Sequence, residues 1–291
     1  HKVFIIRSAK IRRILSGIMS FFQGKVAIIT GSSNGIGRAT AVMLAERGAK
    51  LTLHGRSTES IKETRRQCID AGAKACDVLE ILGEIDQEET RQNIVSETVK
   101  KFGQIDILVN NAGMSVDSMI NSNFSPIEVP IENFDKTMAV NIRAIFCLSQ
   151  LAVPYLEKTK GAIVNVSSIA SFPFALTEFS YAISKAALDQ LTVQLAGELA
   201  PKGVRVNSVN PGPTATAFLR MNGGTEEYSK EAFTKLGTAK NCIPLGRCGQ
   251  PEDIAKLIIF LCDRTQSEFI IGQRIVIDGG ALLQNVLFRT Q

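Results

Sequence analysis

Short apolar segments rich in valine and isoleucine alternate along the chain with longer stretches of helical periodicity. The apolar segments are continuous, which is typical of strands buried on both faces of a sheet. Such repetition predicts an α/β fold with a doubly wound parallel sheet covered by helices on both faces. We predict strands at Val26–Thr30, Leu51–Leu53, Ile107–Val109, Ala162–Val166, Val204–Val209 and Ile275–Ile277, and helices at Ile36–Arg47, Ile61–Ala71, Glu88–Phe102, Phe134–Leu156, Tyr181–Ala200 and Pro251–Cys262.

No internal repeat or linker interrupts this rhythm, so we expect one domain over residues 21–284 with a short tail at 285–291. Residues 1–20 are basic, contain no acidic residue, and have the composition of a targeting presequence. The chain opens with His1, and Met19 stands just before the domain, so we favour the alternative that the extension is additional sequence outside the mature protein. We expect a cytoplasmic protein, or a mitochondrial one if the extension is a genuine presequence.

Composition narrows the function classes. The net charge is +5, but five of the basic residues lie in the first twenty, which leaves the remainder neutral and disfavours nucleic-acid binding. Six cysteines without a C-x-x-C pair indicate reduced thiols. Two histidines in 291 residues argue against metal sites, and we expect none. The chain has no run of about 18 apolar residues, so we expect no membrane span.

Two long segments, Met114–Glu132 and Pro213–Gly246, break the alternation with proline, glycine and short apolar patches. Long loops in compact domains are frequently lids or binding loops, although a surface insertion remains the alternative. In an open α/β sheet such loops follow the carboxyl ends of strands, where ligands bind. We therefore predict a substrate lid in this region.

A glycine-rich turn, Thr30–Gly37, follows the first strand and opens a helix. Glycines permit a tight turn and close approach of a pyrophosphate, and the helix amino terminus offers unpaired N–H groups. The same residues also fit the G-x-S-x-G elbow of α/β-hydrolases. That reading needs a later acid and then a histidine, whereas the only later histidine is His54, so we favour a nucleotide site.

The second strand ends at Leu53 and is followed by Arg56, with no acidic residue before Glu59. Enzymes that use NAD commonly place an acid here for the ribose hydroxyls, whereas a guanidinium suits the 2′-phosphate of NADP. We therefore favour NADP(H) over NAD(H). Arg56 as a solvated turn residue is the alternative.

Five motifs occur in order: Thr30–Gly37, then Asn110-Asn111-Ala112-Gly113, Ser168, Tyr181-x-x-x-Lys185 and Pro211-Gly212. Together they resemble the short-chain dehydrogenase/reductase family, from about Gly24 to Gly280. Within the family, the segments 103–108 and 183–187 are similar to tropinone-reductase-like members. The resemblance implies a Rossmann fold, a nicotinamide cofactor, oxidoreductase activity, and assembly as a homodimer or homotetramer.

Tyr181 and Lys185 stand four residues apart on a helix and so share a face. A tyrosine has a pKa near 10, and a nearby ammonium lowers it enough for acid/base work. We predict that Tyr181 protonates the substrate oxygen while Ser168 hydrogen-bonds it and Lys185 holds the nicotinamide ribose. The resemblance adds Asn141, which would position a proton-relaying water. A surface Tyr–Lys pair is the alternative.

The resemblance also assigns the cofactor contacts. Those on the phosphate side are Gly31, Ser33, Asn34, Gly35, Ile36 and Gly37. It assigns Asp77 and Val78 to adenine, after a short strand expected in Lys74–Asp77, and Asn110, Ala112 and Gly113 to the ribose wall. Pro211, Gly212, Thr214 and Thr216 would hold the nicotinamide and phosphate. Asn34 stands where many NADP-dependent members carry a basic residue, so the phosphate would depend on Arg56, with possible help from Arg38.

Apolar side chains surround the predicted catalytic residues, which predicts a hydrophobic ketone, aldehyde or alcohol as substrate. They are Phe172, Phe174, Leu176, Phe179, Phe218, Leu219 and Met221. A carbonyl reductase is the leading hypothesis. A 3-oxoacyl-thioester reductase and a non-catalytic NADP-binding regulator remain alternatives; intact Ser168, Tyr181 and Lys185 speak against the regulator.

Overall fold

The computed structural model describes residues 20–116, 128–172, 179–218, 225–239 and 242–284. The extension at 1–19 and the tail at 285–291 lie outside these ranges, as do four of the predicted substrate-pocket residues: Phe174, Leu176, Leu219 and Met221.

Seven parallel strands form one sheet in the order β3-β2-β1-β4-β5-β6-β7. The strand order reverses between β1 and β4, which opens the crevice where ligands bind in this type of sheet. The predicted doubly wound α/β fold is confirmed. The strands are β1 Val26–Ile29, β2 Lys50–Gly55, β3 Val78–Leu82, β4 Ile107–Asn110, β5 Ala162–Val166, β6 Arg205–Pro211 and β7 Arg274–Ile277.

Helices cover both faces of the sheet. On one face the core gathers around Leu44 and Ile258, and on the other around Leu148 and Leu199, all of which are buried. The helices are α1 Gly35–Glu46, α2 Thr58–Asp70, α3 Glu88–Phe102, α4 Ile131–Met138, α5 Ala144–Thr159, α6 Phe179–Leu199, α7 Glu226–Thr238, α8 Pro251–Cys262 and α9 Arg264–Ser267. Short 3₁₀ turns occur at Ala75–Asp77, Ile169–Ser171, Ala200–Lys202 and Ala281–Leu283.

Three element predictions need correction. The segment Lys74–Asp77 is not a strand; it leads into a 3₁₀ turn, and β3 begins only at Val78. The helix predicted at Phe134–Leu156 is longer and contains a π-helical turn at Ala139–Arg143 between α4 and α5. The segment Pro213–Gly246, predicted as a loop, contains α7.

The continuous helix Ile131–Thr159 is long and apolar enough for a membrane span by length and composition, and no other helix in the described part of the chain is. Its α5 portion buries Ala144, Leu148, Ala152 and Leu156 against the sheet. Its apolar character is therefore accounted for by packing in the core.

Candidate active site

The turn between β1 and α1 is shaped for close approach of a ligand. Gly31 and Gly35 adopt positive φ angles of 64° and 54°. A Cβ atom on Gly31 would lie 2.8 Å from the Ala112 Cα, and one on Gly37 would lie 2.5 Å from the Gly31 oxygen. The side chain of Asn34, which precedes α1, makes no capping hydrogen bond to the helix, and the first turn of α1 carries no acidic residue. This end of the helix suits a phosphate group.

Asn111 fastens this turn to β4. Its side-chain amide donates to the carbonyl oxygens of Thr30 and Gly31 at 2.9 and 3.0 Å. In return, the Thr30 hydroxyl accepts hydrogen bonds from the backbone N–H groups of Asn111 and Ala112, both at 3.0 Å. The turn is thus held by side chains from inside the protein, and its outer side faces the cavity.

His54 supports the turn from β2. Its Nδ1 accepts from the Gly31 N–H at 3.4 Å, and its Nε2 lies 3.1 Å from the Gly83 oxygen, to which it donates in this tautomer. Burial lowers the pKa of His54 to about 4, so the ring is neutral at pH 7. Because both ring nitrogens are engaged, His54 is not available as the base that a hydrolase would need.

Arg38 does not line the cavity. Its guanidinium donates to the Thr64 hydroxyl at 2.9 Å, to the Ser60 oxygen at 3.3 Å and to the Ser33 oxygen. These contacts join the glycine turn to α2. The side chain is therefore a structural clamp, and the suggested help from Arg38 in phosphate binding is wrong.

Arg56 and Glu84 stand at the mouth of the cavity, beyond the ends of β2 and β3. The Arg56 Nη1 lies 3.6 Å from the Glu84 Oε1, and both side chains are about half exposed, at 50% and 48%. Both residues line the cavity. A guanidinium with one loose, solvated partner keeps donors for a second anion.

Tyr181 and Lys185 project from the first turns of α6 into the cavity. The Lys185 Nζ lies 5.4 Å from the centre of the Tyr181 ring and donates to the Val166 oxygen at 2.8 Å. Burial lowers the pKa of Lys185 to about 8, and the negative charge of Asp189 opposes this change. The lysine is thus a buried cation close to the tyrosine.

Ser168 follows β5 and caps the 3₁₀ turn Ile169–Ser171. Its Oγ accepts from the Ala170 N–H at 3.1 Å, which leaves the hydroxyl proton for another acceptor. Ser168 lines the same cavity as Tyr181 and Lys185. The three predicted catalytic residues therefore meet at the carboxyl end of β5.

Asn141 lies in the π-helical turn and is fully buried. Its amide accepts from the Met114 N–H at 2.9 Å and donates to the Met114 oxygen and the Ser184 hydroxyl at 2.8 and 2.9 Å. Asn141 is not part of the cavity lining, yet a Cβ built on Gly113 would lie 3.4 Å from both the Asn141 Oδ1 and the Lys185 Nζ. The two polar atoms flank one point.

One cavity of about 420 Å³ contains most of the predicted residues. Besides the three predicted catalytic residues, its lining includes Gly31, Ser33, Asn34, Gly35, Ile36, Arg56, Ala112, Gly113, Pro211, Gly212, Thr214 and Thr216. Gly37 lies behind the turn, where its missing Cβ makes room for the Asn111 amide. Among the described residues, no group of three or more histidine, cysteine or acidic side chains is placed to hold a metal.

Two predicted contacts lie at the wrong end of the sheet. Val78 pairs with Leu51 near the start of β2, so Asp77 and Val78 stand at the amino-terminal edge, away from the cavity. The residues that follow β3 and line the cavity are instead Glu84 and Ile85. The adenine contacts were expected at the carboxyl end of a strand at Lys74–Asp77. That segment precedes β3, so Asp77 and Val78 lie at the opposite end of the strand.

Asn110 also differs from its predicted place. Its side chain is buried and donates to the Asn165 Oδ1 at 2.9 Å, inside the sheet layer. The neighbouring Asn111 lines the cavity in its stead. Phe218 and Phe233 add apolar walls, and Phe218 packs against the Tyr181 ring at 5.4 Å between centroids. Phe233 belongs to α7, and the sequence pattern had not predicted this helix.

Comparisons with known proteins agree with this geometry. The family model described as enoyl-(acyl carrier protein) reductase matches residues 31–281. An uncharacterized oxidoreductase of Thermotoga maritima is 41% identical over 262 residues, covering 89% of this chain and 98% of the relative. A 3-oxoacyl-(acyl-carrier-protein) reductase of the same bacterium is 35% identical, covering 90% and 99%.

A solved structure is similar over the same span. It is a short-chain dehydrogenase/reductase of unknown function from Caenorhabditis elegans, crystallised with cofactor. The TM-score is 0.87 at 42% identity, and the match covers 90% of this chain and 97% of the other. In this chain, the glycine turn, the amino terminus of α1 and the cavity beside them fit a dinucleotide.

Proposed function

Because the chain belongs to the short-chain dehydrogenase/reductase family and is therefore an oxidoreductase with a nicotinamide cofactor, we propose that it reduces a hydrophobic ketone or aldehyde with NADPH, or oxidises the corresponding alcohol. One observation carries the proposal. Ser168, Tyr181 and Lys185 line the same cavity as the glycine turn at Gly31–Gly37 and the loop after β6.

The residues divide the work at the substrate oxygen. A bound NADPH supplies the hydride for the carbonyl carbon. Tyr181 donates its phenolic proton to the carbonyl oxygen, and the Ser168 hydroxyl hydrogen-bonds the same oxygen as negative charge develops on it. Lys185 stabilises the phenolate that Tyr181 becomes, since its ammonium lies 5.4 Å from the ring centre.

Asn141 and Lys185 provide the route by which Tyr181 regains its proton. The Asn141 Oδ1 and the Lys185 Nζ each lie 3.4 Å from the position that a Cβ on Gly113 would take, so both polar atoms face the same glycine. The Asn141 Oδ1 already accepts from the Met114 N–H but has a second lone pair. This supports the predicted relay role of Asn141.

Arg56 supports NADPH over NADH. It stands beyond the end of β2, where the adenosine ribose binds in this fold, and its ion-pair partner among the described residues, Glu84, is 3.6 Å away and solvated. A 2′-phosphate offers stronger, charge-assisted hydrogen bonds than that contact. Glu84 and Ile85 take the adenine-side position first assigned to Asp77 and Val78.

The substrate end of the cavity supports an uncharged apolar compound. Its described walls include Met114, Ile169, Ala170, Phe218 and Phe233. Of the charged residues that line the described cavity, Arg56 and Glu84 stand at the β2–β3 end, and only Lys185 lies near Tyr181. Among the described lining residues, a carboxylate or phosphate on the substrate would find no second cation near Tyr181.

A 3-oxoacyl thioester is the second candidate. The family model and the 35% identical Thermotoga relative both carry names from acyl-carrier-protein chemistry. The same residues would serve, because the 3-oxo group is a ketone. Comparing acetoacetyl-CoA with apolar ketones of similar size separates the two candidates.

Assembly as a homodimer or homotetramer remains part of the proposal. Apolar side chains on α5 and α6 are about 40% exposed, namely Phe146, Ile183 and Val193 at 40%, 37% and 38%. Such side chains on adjacent long helices suit an interface between copies.

The cofactor assignment is tested by titrating the protein separately with NADPH and NADH while following nucleotide fluorescence. We expect tighter NADPH binding, and we expect Arg56→Ala to weaken it about 10- to 100-fold while NADH binding is unchanged. Arg65→Ala is the matched control, since Arg65 forms a similar exposed ion pair with Glu80 but does not line the cavity. An equal loss of affinity for NADPH and NADH in Arg56→Ala would contradict the 2′-phosphate assignment.

A further inference from the structure

A buried acid lies one helical turn beyond Lys185 on the same face of α6. Asp189 is 2% exposed, Lys185 is 3% exposed, and neither the mechanism nor the cavity lining includes Asp189. A buried carboxylate is costly unless it compensates another charge or is fully hydrogen-bonded. Its position therefore requires a reason.

Asn210 connects this acid to the catalytic serine. Its side-chain nitrogen lies 3.1 and 2.8 Å from the two oxygens of Asp189, and 3.2 and 3.1 Å from the Ser168 carbonyl oxygen and the Ser171 hydroxyl. The amide has two hydrogens, so one serves the carboxylate and the other the Ser168 turn. Ser208 adds a hydrogen bond to Asp189 at 3.3 Å.

The same acid acts on Lys185 through charge. In the described part of the chain, the neighbours of the Lys185 side chain on other elements include three uncharged groups: the Val166 carbonyl from β5, Gly113 after β4 and Asn141 from the π-helical turn. On its own helix the titratable neighbours are Tyr181 and Asp189. Among the described residues, Asp189 is thus the anion that compensates the buried ammonium.

We propose that Asp189 is a positioning residue that fixes Ser168 through Asn210 and keeps Lys185 in its ammonium form. One buried carboxylate thereby serves both sides of the catalytic centre, although it touches neither substrate nor cofactor. The part concerning turnover rests on the proposed function; the part concerning the charge of Lys185 does not.

The test compares the protonation of Lys185 in three full-length proteins by an NMR titration of its side chain, assigned with Lys185→Arg. Asp189→Asn keeps the shape and removes the charge. Thr192→Val is the matched control, because Thr192 is buried on the same helix and hydrogen-bonded to Asn165 at 2.9 Å. We expect the Lys185 midpoint to fall by about one pH unit in Asp189→Asn and to stay in place in Thr192→Val.

Turnover supplies the second readout. Loss of a nearby negative charge favours deprotonation of both Lys185 and Tyr181, so the alkaline limb of kcat/KM moves to lower pH whichever group releases its proton first. A structural defect alone would reduce activity without moving the limb, as expected for Thr192→Val.

An unchanged Lys185 midpoint in Asp189→Asn overturns the proposal, and so does an equal change in Thr192→Val. If Asp189→Asn does not fold, Asp189→Ser gives the same comparison with room for water in place of the carboxylate. A wild-type protein that turns over no carbonyl would instead refute the proposed function, while the NMR titration would still decide the role of Asp189.

Discussion

Lys185 donates a 2.8 Å hydrogen bond to the carbonyl of Val166, the last residue of β5, and this contact holds its ammonium 5.4 Å from the Tyr181 ring centre. Burial lowers the pKa of Lys185 to about 8. Above that pH the free enzyme loses the positive charge that favours the Tyr181 phenolate. The position of Lys185 thus connects β5 to Tyr181, the proposed acid/base residue.

The first prediction concerns pH. We expect kcat/KM to fall as the pH rises through about 8, because this ratio reports groups of the free enzyme and the neutral lysine no longer assists Tyr181. The measurement is kcat/KM between pH 6 and 10. In Lys185→Arg, which keeps its charge over this range, the limb near pH 8 should disappear from the residual activity. A limb that persists there would show that another group causes it.

The second prediction concerns the glycine turn. Gly31→Ala should abolish measurable cofactor binding and cost about 1–3 kcal/mol of stability, because the new Cβ would lie 2.8 Å from the Ala112 backbone at a φ of 64°. Gly103→Ala is the control: its φ is also positive, at 81°, but nothing lies within 4 Å of the new atom. Fluorescence titration and urea unfolding measure the two effects. Equal loss of cofactor binding in the two variants would refute the close-approach argument.

The third prediction separates two arginines. Arg38→Ala should lower the free energy of unfolding by about 2 kcal/mol and weaken NADPH and NADH to the same extent, because Arg38 clamps the turn to α2 through Thr64 and backbone oxygens. Arg56→Ala should weaken NADPH binding but not NADH binding, and should leave the free energy of unfolding unchanged. Selective loss of NADPH in Arg38→Ala would restore that residue to the phosphate site.

The fourth prediction concerns acid stability. The pKa of His54 is lowered from 6.5 to about 4 in the folded protein, so between these values the unfolded chain binds more protons at this residue than the folded one. Its contribution is present above pH 6.5 and is lost as the pH falls towards 4, by about 3 kcal/mol in total. The free energies of unfolding of the wild type and of His54→Gln, measured with urea, should converge as the pH falls over this range. A constant difference would mean that His54 is not buried in neutral form.

The sequence was sufficient to predict the sheet interior and the clustering of the three candidate catalytic residues. Strands buried on both faces leave continuous apolar runs, and Ser168, Tyr181 and Lys185 follow a spacing that the helix and β5 convert into one site. The edge strand β3 shows no continuous apolar run in the sequence. It is only partly buried and contains Glu80, so its start was misjudged and the adenine-side residues were displaced with it.

The sequence pattern does not show which of two neighbouring side chains faces the cavity. Asn110 and Asn111 are adjacent in one motif, yet a strand sends successive side chains to opposite faces, and only Asn111 reaches the cavity. Arg38 was similarly ambiguous, because a basic residue behind a phosphate turn can face the ligand or, as here, the backbone of the next helix. Phe233 required the location of α7, within a segment that appeared to be a loop.

The central claim, that Tyr181 is the acid of a carbonyl reduction, is tested most directly by turnover of Tyr181→Phe. The assay follows NADPH oxidation with apolar ketones and acetoacetyl-CoA, beside an NADPH titration of the same variant. We expect kcat to fall by about 10²–10⁴ while NADPH binding is retained, because phenylalanine keeps the ring that packs against Phe218 and lacks only the proton donor. Wild-type turnover in the variant, with its cofactor bound, would contradict the account.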